Sequence, residues 1–222
     1  MDMKNTYKLA IFDLDGTVLD TIGDLHASVN AALSQSNMPT RTLDEVLSFV
    51  GNGMKNLIDR AVPSGTDEAL TARVLADFKA HYAIHSTDTT APYRGVPEML
   101  TALRASGVKL AVLSNKPDTA TKALCKTYFD GSFDLALGER ESEGIAKKPA
   151  PDAVFDIMRA FGVTADETVY IGDSEVDVMT ARNASVSLLS VTWGFRERDV
   201  LIAAGASVLC DTPEEVVANI TA

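Results

Sequence analysis

The stretch YKLAIFDLDGTVLD, residues 7–20, begins as a short apolar run and ends in closely spaced acids. A continuous apolar segment bounded by polar residues is typical of a strand buried on both faces of a parallel sheet. Similar runs recur at 108–113, 133–137, 168–172 and 186–191, and helical patterns separate most of them. This alternation predicts an α/β fold with a Rossmann-like parallel sheet at its core.

A long segment without strand character follows the first predicted strand. Within it, apolar residues such as Leu25 and Val29 recur at helical spacing. The segment is much longer than an ordinary crossover between parallel strands. We therefore predict two domains, an α/β catalytic core of residues 1–17 and 91–222 and an inserted helical cap of residues 18–90.

The composition excludes several classes of function. The 222 residues include 20 Lys and Arg against 31 Asp and Glu, a net charge of −11 that disfavours binding to nucleic acid or anionic membranes. The early apolar run is too short for a signal peptide or a membrane span, and the two cysteines lack metal-site spacing. We expect a soluble cytoplasmic protein, either monomer or homodimer, that binds neither nucleic acid nor membrane.

Four polar motifs lie where the predicted strands end. They are DLDGT at 13–17, SNK at 114–116, KP at 148–149 and GDSEVD at 172–177. Because the carboxyl ends of parallel strands meet at one edge of a sheet, we expect these motifs to be neighbours. Carboxylates combined with a lysine and a serine hydroxyl indicate a site for phosphoryl transfer.

In this order the four motifs resemble those of the haloacid dehalogenase superfamily, and the resemblance spans the whole chain. Five longer segments are also similar to the phosphoglycolate phosphatase branch. They read FVGNGMKNLIDRA, LSNKP, KKPAPD, YIGDSEVD and VTWGFR. The resemblance implies a Mg²⁺-dependent phosphomonoester hydrolase that acts through an aspartyl phosphate. It implies a small phosphorylated metabolite as the substrate, with 2-phosphoglycolate as the leading candidate.

Four residues are candidates for the chemistry. Asp13 is the predicted nucleophile, because an ionised carboxylate needs no activating base. Asp15 is the predicted general acid and base, and the dehalogenase members of the superfamily lack this second aspartate. Lys148 is expected to neutralise the charges that meet during attack, and Ser114 to donate to a phosphoryl oxygen.

By resemblance, Mg²⁺ is bound by the Asp13 carboxylate, the Asp15 backbone carbonyl and Asp173, with Asp177 helping to hold the site. These are the oxygen ligands that Mg²⁺ prefers. Asp177 has an alternative interpretation, because Ser174 and Asp177 also match the capping box of a helix.

Further residues are predicted to contact the substrate. In the core these are Gly16, Thr17 and Asn115, and in the cap they are Asn52, Gly53 and Lys55. Two structural alternatives stay open: Asn115, with Ser114, can cap the next helix, and the GNG motif can be a simple turn between helices.

Other functions remain possible at this point. A related enzyme can act on sugar phosphates or pyrophosphate, or can be a phosphosugar mutase with the same nucleophile. A phospho-accepting signalling module also combines aspartates, a hydroxyl and a lysine, but it lacks a long helical insert. A noncatalytic binding module is disfavoured by the presence of both Asp13 and Asp15.

The chain departs from the branch pattern at one place. Ser185 follows Ala184 where the branch usually has glycine. A glycine at such a position often allows a backbone conformation that other residues avoid. The serine therefore bears on the backbone geometry of a turn. We expect it to leave the chemistry intact.

Overall fold

The computed structural model describes residues 7–222, in which strands and helices alternate along the chain. The strands are β1 (Leu9–Phe12), β2 (Leu19–Asp20), β3 (Ala91–Pro92), β4 (Lys109–Pro117), β5 (Leu135–Glu139), β6 (Thr168–Gly172), β7 (Ser187–Val191) and β8 (Leu209–Cys210). The helices are α1 (Ile22–Gln35), α2 (Leu43–Phe49), α3 (Met54–Ala61), α4 (Glu68–His85), α5 (Val96–Ala105), α6 (Asp118–Phe129), α7 (Asp152–Phe161), α8 (Glu175–Ala184), α9 (Arg198–Ala204) and α10 (Pro213–Thr221).

Six of the strands form one parallel sheet, in the order β5-β4-β1-β6-β7-β8. β1 lies in its interior, where Phe12 is in register with Val112 of β4 and Ile171 of β6. The predicted α/β fold with a parallel sheet is therefore confirmed. β2, β3 and β8 were not predicted, because two residues each are too few to show a periodic pattern.

The sheet is covered by apolar side chains on both faces, as a parallel sheet requires. Ala10 and Phe12 of β1 face a cluster with residues of α5, α6 and α10, whereas Leu9 and Ile11 face a second cluster with residues of α7 and α8. All four β1 side chains are fully buried. Burying each of the larger ones stabilises the fold by about 1.5–3 kcal/mol, so β1 is firmly anchored beneath the loop that follows it.

The chain divides into two compact units. One consists of the chain up to Leu19 together with Pro92–Ala222, and it contains the six-stranded sheet. The other is Asp20–Ala91, which contains the helices α1 to α4.

Within the helical unit, Asp24 ties the start of α1 to the segment that follows α4. Its two carboxylate oxygens accept hydrogen bonds of 2.6–2.9 Å from the backbone N–H and side-chain hydroxyl groups of Thr89 and Thr90. Burial raises the pKa of Asp24, but these hydrogen bonds outweigh it and hold the pKa below its ordinary value. The ionised carboxylate therefore joins the two ends of the unit.

Both cysteines are free thiols. Cys125 and Cys210 are buried, and burial raises their pKa values to about 12 and about 11. Among residues 7–222, no helix is both long enough and apolar enough to cross a membrane.

Ser185 ends α8 in the left-handed region, at φ 57° and ψ 34°. This conformation costs a residue with a Cβ about 1 kcal/mol, which glycine avoids, although glycine also gains freedom in the unfolded chain. Ser185→Gly is expected to raise the free energy of unfolding by about 0.5–1 kcal/mol, measured by denaturant titration. The control Ser185→Ala keeps the Cβ, so an equal gain in that variant would contradict the explanation.

Candidate active site

Asp13 directly follows β1 at the carboxyl edge of the sheet. Its backbone N–H donates to the Ile171 carbonyl at 2.9 Å, which extends the strand ladder by one residue. Its Oδ1 accepts a 2.7 Å hydrogen bond from the Leu14 N–H and lies 2.8 Å from the Lys148 Nζ. The anchored strand thus holds a buried carboxylate in one orientation.

Lys148 brings a positive charge to this carboxylate from the segment between β5 and α7. Its Nζ lies 2.8 Å from Asp13 Oδ1 and 2.8 Å from Asp177 Oδ1, and the residue is only 3% exposed. The neighbouring Lys147 instead pairs with Glu141 at 3.1 Å. Lys148, and not Lys147, is therefore the lysine that the structure places beside the predicted nucleophile.

Asn115 fixes the backbone of Lys148. Its Nδ2 donates to the Lys148 carbonyl at 3.0 Å, and its Oδ1 accepts from the Lys148 N–H at 2.9 Å. A side-chain amide that pairs with both groups of one residue imitates a strand neighbour. The predicted contact of Asn115 with substrate remains a prediction, and the observed contacts give it a role in positioning Lys148.

Asp177 forms the capping box that its motif indicates, and it also faces Lys148, while its predicted part in holding Mg²⁺ stays a prediction. Its Oδ2 accepts hydrogen bonds from the Ser174 N–H at 3.1 Å and the Ser174 hydroxyl at 2.6 Å. The first of these, together with the bond that the Asp177 N–H donates to Ser174 Oγ at 3.4 Å, forms the capping box of α8. Its Oδ1 faces Lys148 Nζ at 2.8 Å. A helix cap thereby aims a fully buried carboxylate at the lysine of the site.

Tyr170 was not predicted to take part in the site. It lies fully buried in β6, and its hydroxyl donates weakly to Asp177 Oδ1 at 3.3 Å and to the Leu113 carbonyl at 3.4 Å. The Lys148 Nζ lies 5.7 Å from the centre of its ring. In the sequence Tyr170 belongs to an apolar run, so only its hydroxyl distinguishes it from an ordinary core residue.

Asp173 follows β6 and is held by two neighbouring loops. Oδ1 accepts from the Thr17 hydroxyl at 2.9 Å, and Oδ2 accepts from the Phe195 N–H at 2.7 Å. A Cβ at Gly16, whose φ is +85°, or at Gly194 would overlap the Asp173 side chain. Glycine at both positions therefore lets the backbone close tightly around this carboxylate.

Ser114 and Asp15 complete the set of candidate catalytic residues. Ser114 is 3% exposed near the end of β4, and its hydroxyl accepts from the Lys116 N–H at 3.2 Å. The Asp15 carboxylate lies in the turn after Asp13, with Oδ1 3.1 Å from the Lys116 Nζ. Lys116 was not assigned a role from the sequence. Its place directly after Ser-Asn in the second motif is the feature that could have identified it as a site residue.

Trp193 packs in the core and joins two loops. Its side chain packs against the core cluster that contains Phe12, and its indole Nε1 donates to the Thr17 carbonyl at 3.0 Å. This hydrogen bond ties the segment after β7 to the turn that follows β1.

The predicted cap contacts lie in the helical unit. Asn52 and Gly53 connect α2 to α3, so the turn interpretation of this motif is realised in the structure. Lys55 is exposed and forms an ion pair with Asp59, one turn further along α3, at 2.7 Å. A contact of these residues with substrate remains a prediction.

Three carboxylates form a cluster that fits a divalent metal ion. One oxygen from each of Asp13, Asp173 and Asp177 can be chosen so that all three lie within 4.8 Å of one another. Burial, followed by the charge of Asp177, raises the pKa of Asp173 to about 7, and burial also raises the pKa of Asp13 well above its ordinary value. The raised pKa values indicate that the protein does not fully balance the negative charge of these buried carboxylates. Carboxylate oxygens in such a setting suit a hard cation such as Mg²⁺.

This cluster should make stability depend on pH and metal. Because the pKa of Asp173 rises from 3.8 in the unfolded chain to about 7, the folded state binds more protons between these values. Without metal, the free energy of unfolding should therefore fall as pH rises from about 4 through 7. Mg²⁺ should raise the thermal midpoint at pH 8 more than at pH 5, and Asp173→Asn should weaken both effects. A metal-free stability that instead rises across this range would contradict the assignment.

Comparison with known proteins agrees with this arrangement. A model of the haloacid dehalogenase-like hydrolase family matches residues 10–191. A phosphoglycolate phosphatase from Pseudomonas syringae pv. tomato is 36% identical over 85% of this chain and 70% of its own length. One from Colwellia psychrerythraea is 32% identical over 96% of both chains.

Solved structures give the same result. A crystal structure from Lactobacillus delbrueckii subsp. bulgaricus, provisionally named a phosphoglycolate phosphatase, has a TM-score of 0.92 at 39% identity. The match covers 97% of this chain and 99% of that one. The family match, the relatives and the parallel sheet with its carboxyl-edge motifs all agree, and the chain therefore belongs to the haloacid dehalogenase-like hydrolase family.

Proposed function

We propose that this protein is a Mg²⁺-dependent phosphomonoester hydrolase that acts on 2-phosphoglycolate through a phosphorylated Asp13. The observation that carries the proposal is the buried Asp13 carboxylate, held by Leu14 and Lys148 beside two further carboxylates. The names of the relatives from Pseudomonas and Colwellia support the choice of substrate.

The first step forms a bond between an Asp13 oxygen and phosphorus while the bond from phosphorus to the ester oxygen breaks. A carboxylate about 3.5 Å from a phosphate is repelled by roughly 5 kcal/mol per charge pair at an effective dielectric near 20. Lys148, 2.8 Å from Asp13, opposes this repulsion. Asp15 delivers a proton to the departing oxygen, so the leaving group departs as an alcohol.

The second step hydrolyses the phosphorylated Asp13. Asp15, now ionised, takes a proton from a water molecule, whose oxygen bonds to phosphorus as the bond to Asp13 breaks. Inorganic phosphate leaves and the Asp13 carboxylate is restored. Ser114 donates a hydrogen bond from its hydroxyl to a phosphoryl oxygen in both steps.

In this proposal the carboxylates of Asp13 and Asp173 and the backbone carbonyl of Asp15 hold the metal ion, with Asp177 supporting them. When bound, the ion supplies positive charge that stabilises the phosphoryl oxygens. Asp177 contributes chiefly by holding Lys148, since both of its oxygens already accept hydrogen bonds from Ser174 and Lys148. The helical cap stays part of this proposal, and the helical unit that corresponds to it is Asp20–Ala91.

A substrate panel tests the proposal. The purified protein with Mg²⁺ should hydrolyse 2-phosphoglycolate with a kcat/KM at least about 10-fold above those for sugar phosphates and pyrophosphate. Equal rates on all of these compounds would overturn the substrate assignment and leave a general phosphatase. No turnover of any of them with Mg²⁺ would overturn the enzymatic proposal itself.

A further inference from the structure

We propose that Lys116 recognises the carboxylate of the substrate's leaving group and so determines specificity for acidic phosphoesters. The inference rests on the proposed function, because it takes Asp13 as the nucleophile and Asp15 as the proton donor to the leaving group. It assigns recognition of that group to a residue of the sheet-containing unit.

The burial of Lys116 is the first observation. Among residues 7–222 the buried lysines are Lys116 and Lys148, which are 5% and 3% exposed. Removing an ammonium group from water is costly unless anionic partners compensate, so a buried lysine is usually retained for a purpose. Lys148 serves the nucleophile side of the site, where it contacts Asp13 and Asp177.

The position of Lys116 is the second observation. Its Nζ lies 3.1 Å from Asp15 Oδ1, and the two side chains are 3% and 15% exposed. A general acid must come within about 3 Å of the oxygen that it protonates. Whichever Asp15 oxygen carries the proton, the Lys116 ammonium would then lie no more than about 8 Å from that ester oxygen, on the side where the leaving group departs.

This spacing matches the chemistry of a 2-phosphocarboxylate. Only two carbon atoms connect the ester oxygen to the carboxylate oxygens, so the carboxylate falls within reach of a lysine beside Asp15. An ammonium carries three N–H donors and can bridge two carboxylates, as Lys148 does between Asp13 and Asp177. Lys116 can thus contact Asp15 and the substrate at the same time.

Electrostatics favours the same assignment. The site already contains the carboxylates of Asp13, Asp15, Asp173 and Asp177, which repel a second negative charge on the substrate. A carboxylate on the leaving group therefore needs its own cation, separate from the one that serves the phosphoryl group. The predicted cap contact Lys55 is a weaker candidate, because its side chain is 74% exposed and water weakens ion pairs at exposed positions.

The test compares 2-phosphoglycolate with 2-hydroxyethyl phosphate, which replaces the carboxylate by a neutral hydroxymethyl group. Lys116→Met should lower the ratio of kcat/KM for the two substrates by about 10- to 100-fold, the value of a charged hydrogen bond in a buried site. Lys116→Arg keeps the cation and should retain most of the ratio. Lys122→Met, which removes an exposed lysine paired with Asp118, is the matched control and should leave the ratio unchanged.

The ratio of kcat/KM for the two substrates distinguishes recognition of the substrate carboxylate from an effect of Lys116 on Asp15 that is common to both substrates. If Lys116 only positions Asp15, Lys116→Met will slow both substrates equally, and the inference is wrong. A selective loss in Lys55→Met with none in Lys116→Met would also overturn it. Binding of 2-phosphoglycolate to Lys116→Met, measured by calorimetry in the presence of Mg²⁺ in an Asp13→Asn background, should be about 10-fold weaker than in Asp13→Asn alone. If the wild type hydrolyses neither substrate, it is the proposed function that fails.

Discussion

Replacing Asp13 by asparagine is expected to lower kcat by at least about 10,000-fold, because the amide cannot bond to phosphorus as a nucleophile. The fold should persist, since asparagine has nearly the same shape and can still accept the hydrogen bond from Leu14. Burial raises the pKa of Asp13, so loss of its charge should not reduce the thermal midpoint at pH 7. Steady-state rates and thermal unfolding measure the two effects.

The matched control for this variant is Asp130→Asn. Asp130 is an exposed aspartate just after α6 in the same unit, and its replacement should leave kcat within about twofold of the wild type. Turnover by Asp13→Asn within 10-fold of the wild type would remove Asp13 from the nucleophile role.

Lys148→Met is expected to have the second-largest effect on kcat, after Asp13→Asn. Lys148 lies between two buried carboxylates, so its loss should lower kcat by about 1,000-fold through unopposed repulsion of the substrate. It should also reduce the free energy of unfolding by about 3 kcal/mol at pH 7, because Asp13 and Asp177 lose their shared cation. The stability loss should be smaller at pH 5, because burial raises the pKa of Asp13 and this carboxyl group takes up a proton more readily there.

Lys147→Met is the control for the neighbouring lysine. Lys147 pairs with Glu141 at 3.1 Å, with about a third of its side chain exposed. Its replacement should change stability by less than about 1 kcal/mol and leave kcat nearly unchanged. Similar losses in both variants would mean that the position of Lys148 between the two carboxylates has no special importance.

The sequence was sufficient to predict the α/β class, because buried parallel strands produce apolar runs that few other structures produce. It also predicted that the four motifs converge, since chain segments after neighbouring parallel strands share one edge of the sheet. The structure brings Asp13, Lys148, Asp173 and Asp177 together there. The family assignment is confirmed by the match over residues 10–191.

Long-range contacts explain what the sequence did not predict. The hydrogen bonds from Asn115 to the Lys148 backbone join residues far apart in sequence, and neither residue type indicates such a partner. Tyr170 was missed because its ring fits an apolar strand pattern while its hydroxyl faces Asp177. The burial of Lys116 beside Asp15 follows from the turn after β1, whose path no local pattern specifies.

Capture of the phosphorylated enzyme shows directly whether Asp13 is the nucleophile. Rapid acid quenching during turnover of a ³²P-labelled phosphoester, followed by mass spectrometry of peptides, should place the phosphoryl group on Asp13 of the wild type. Asp13→Asn should carry no label. Turnover without any labelled protein, or a label at another residue that persists in Asp13→Asn, would show that Asp13 is not the nucleophile.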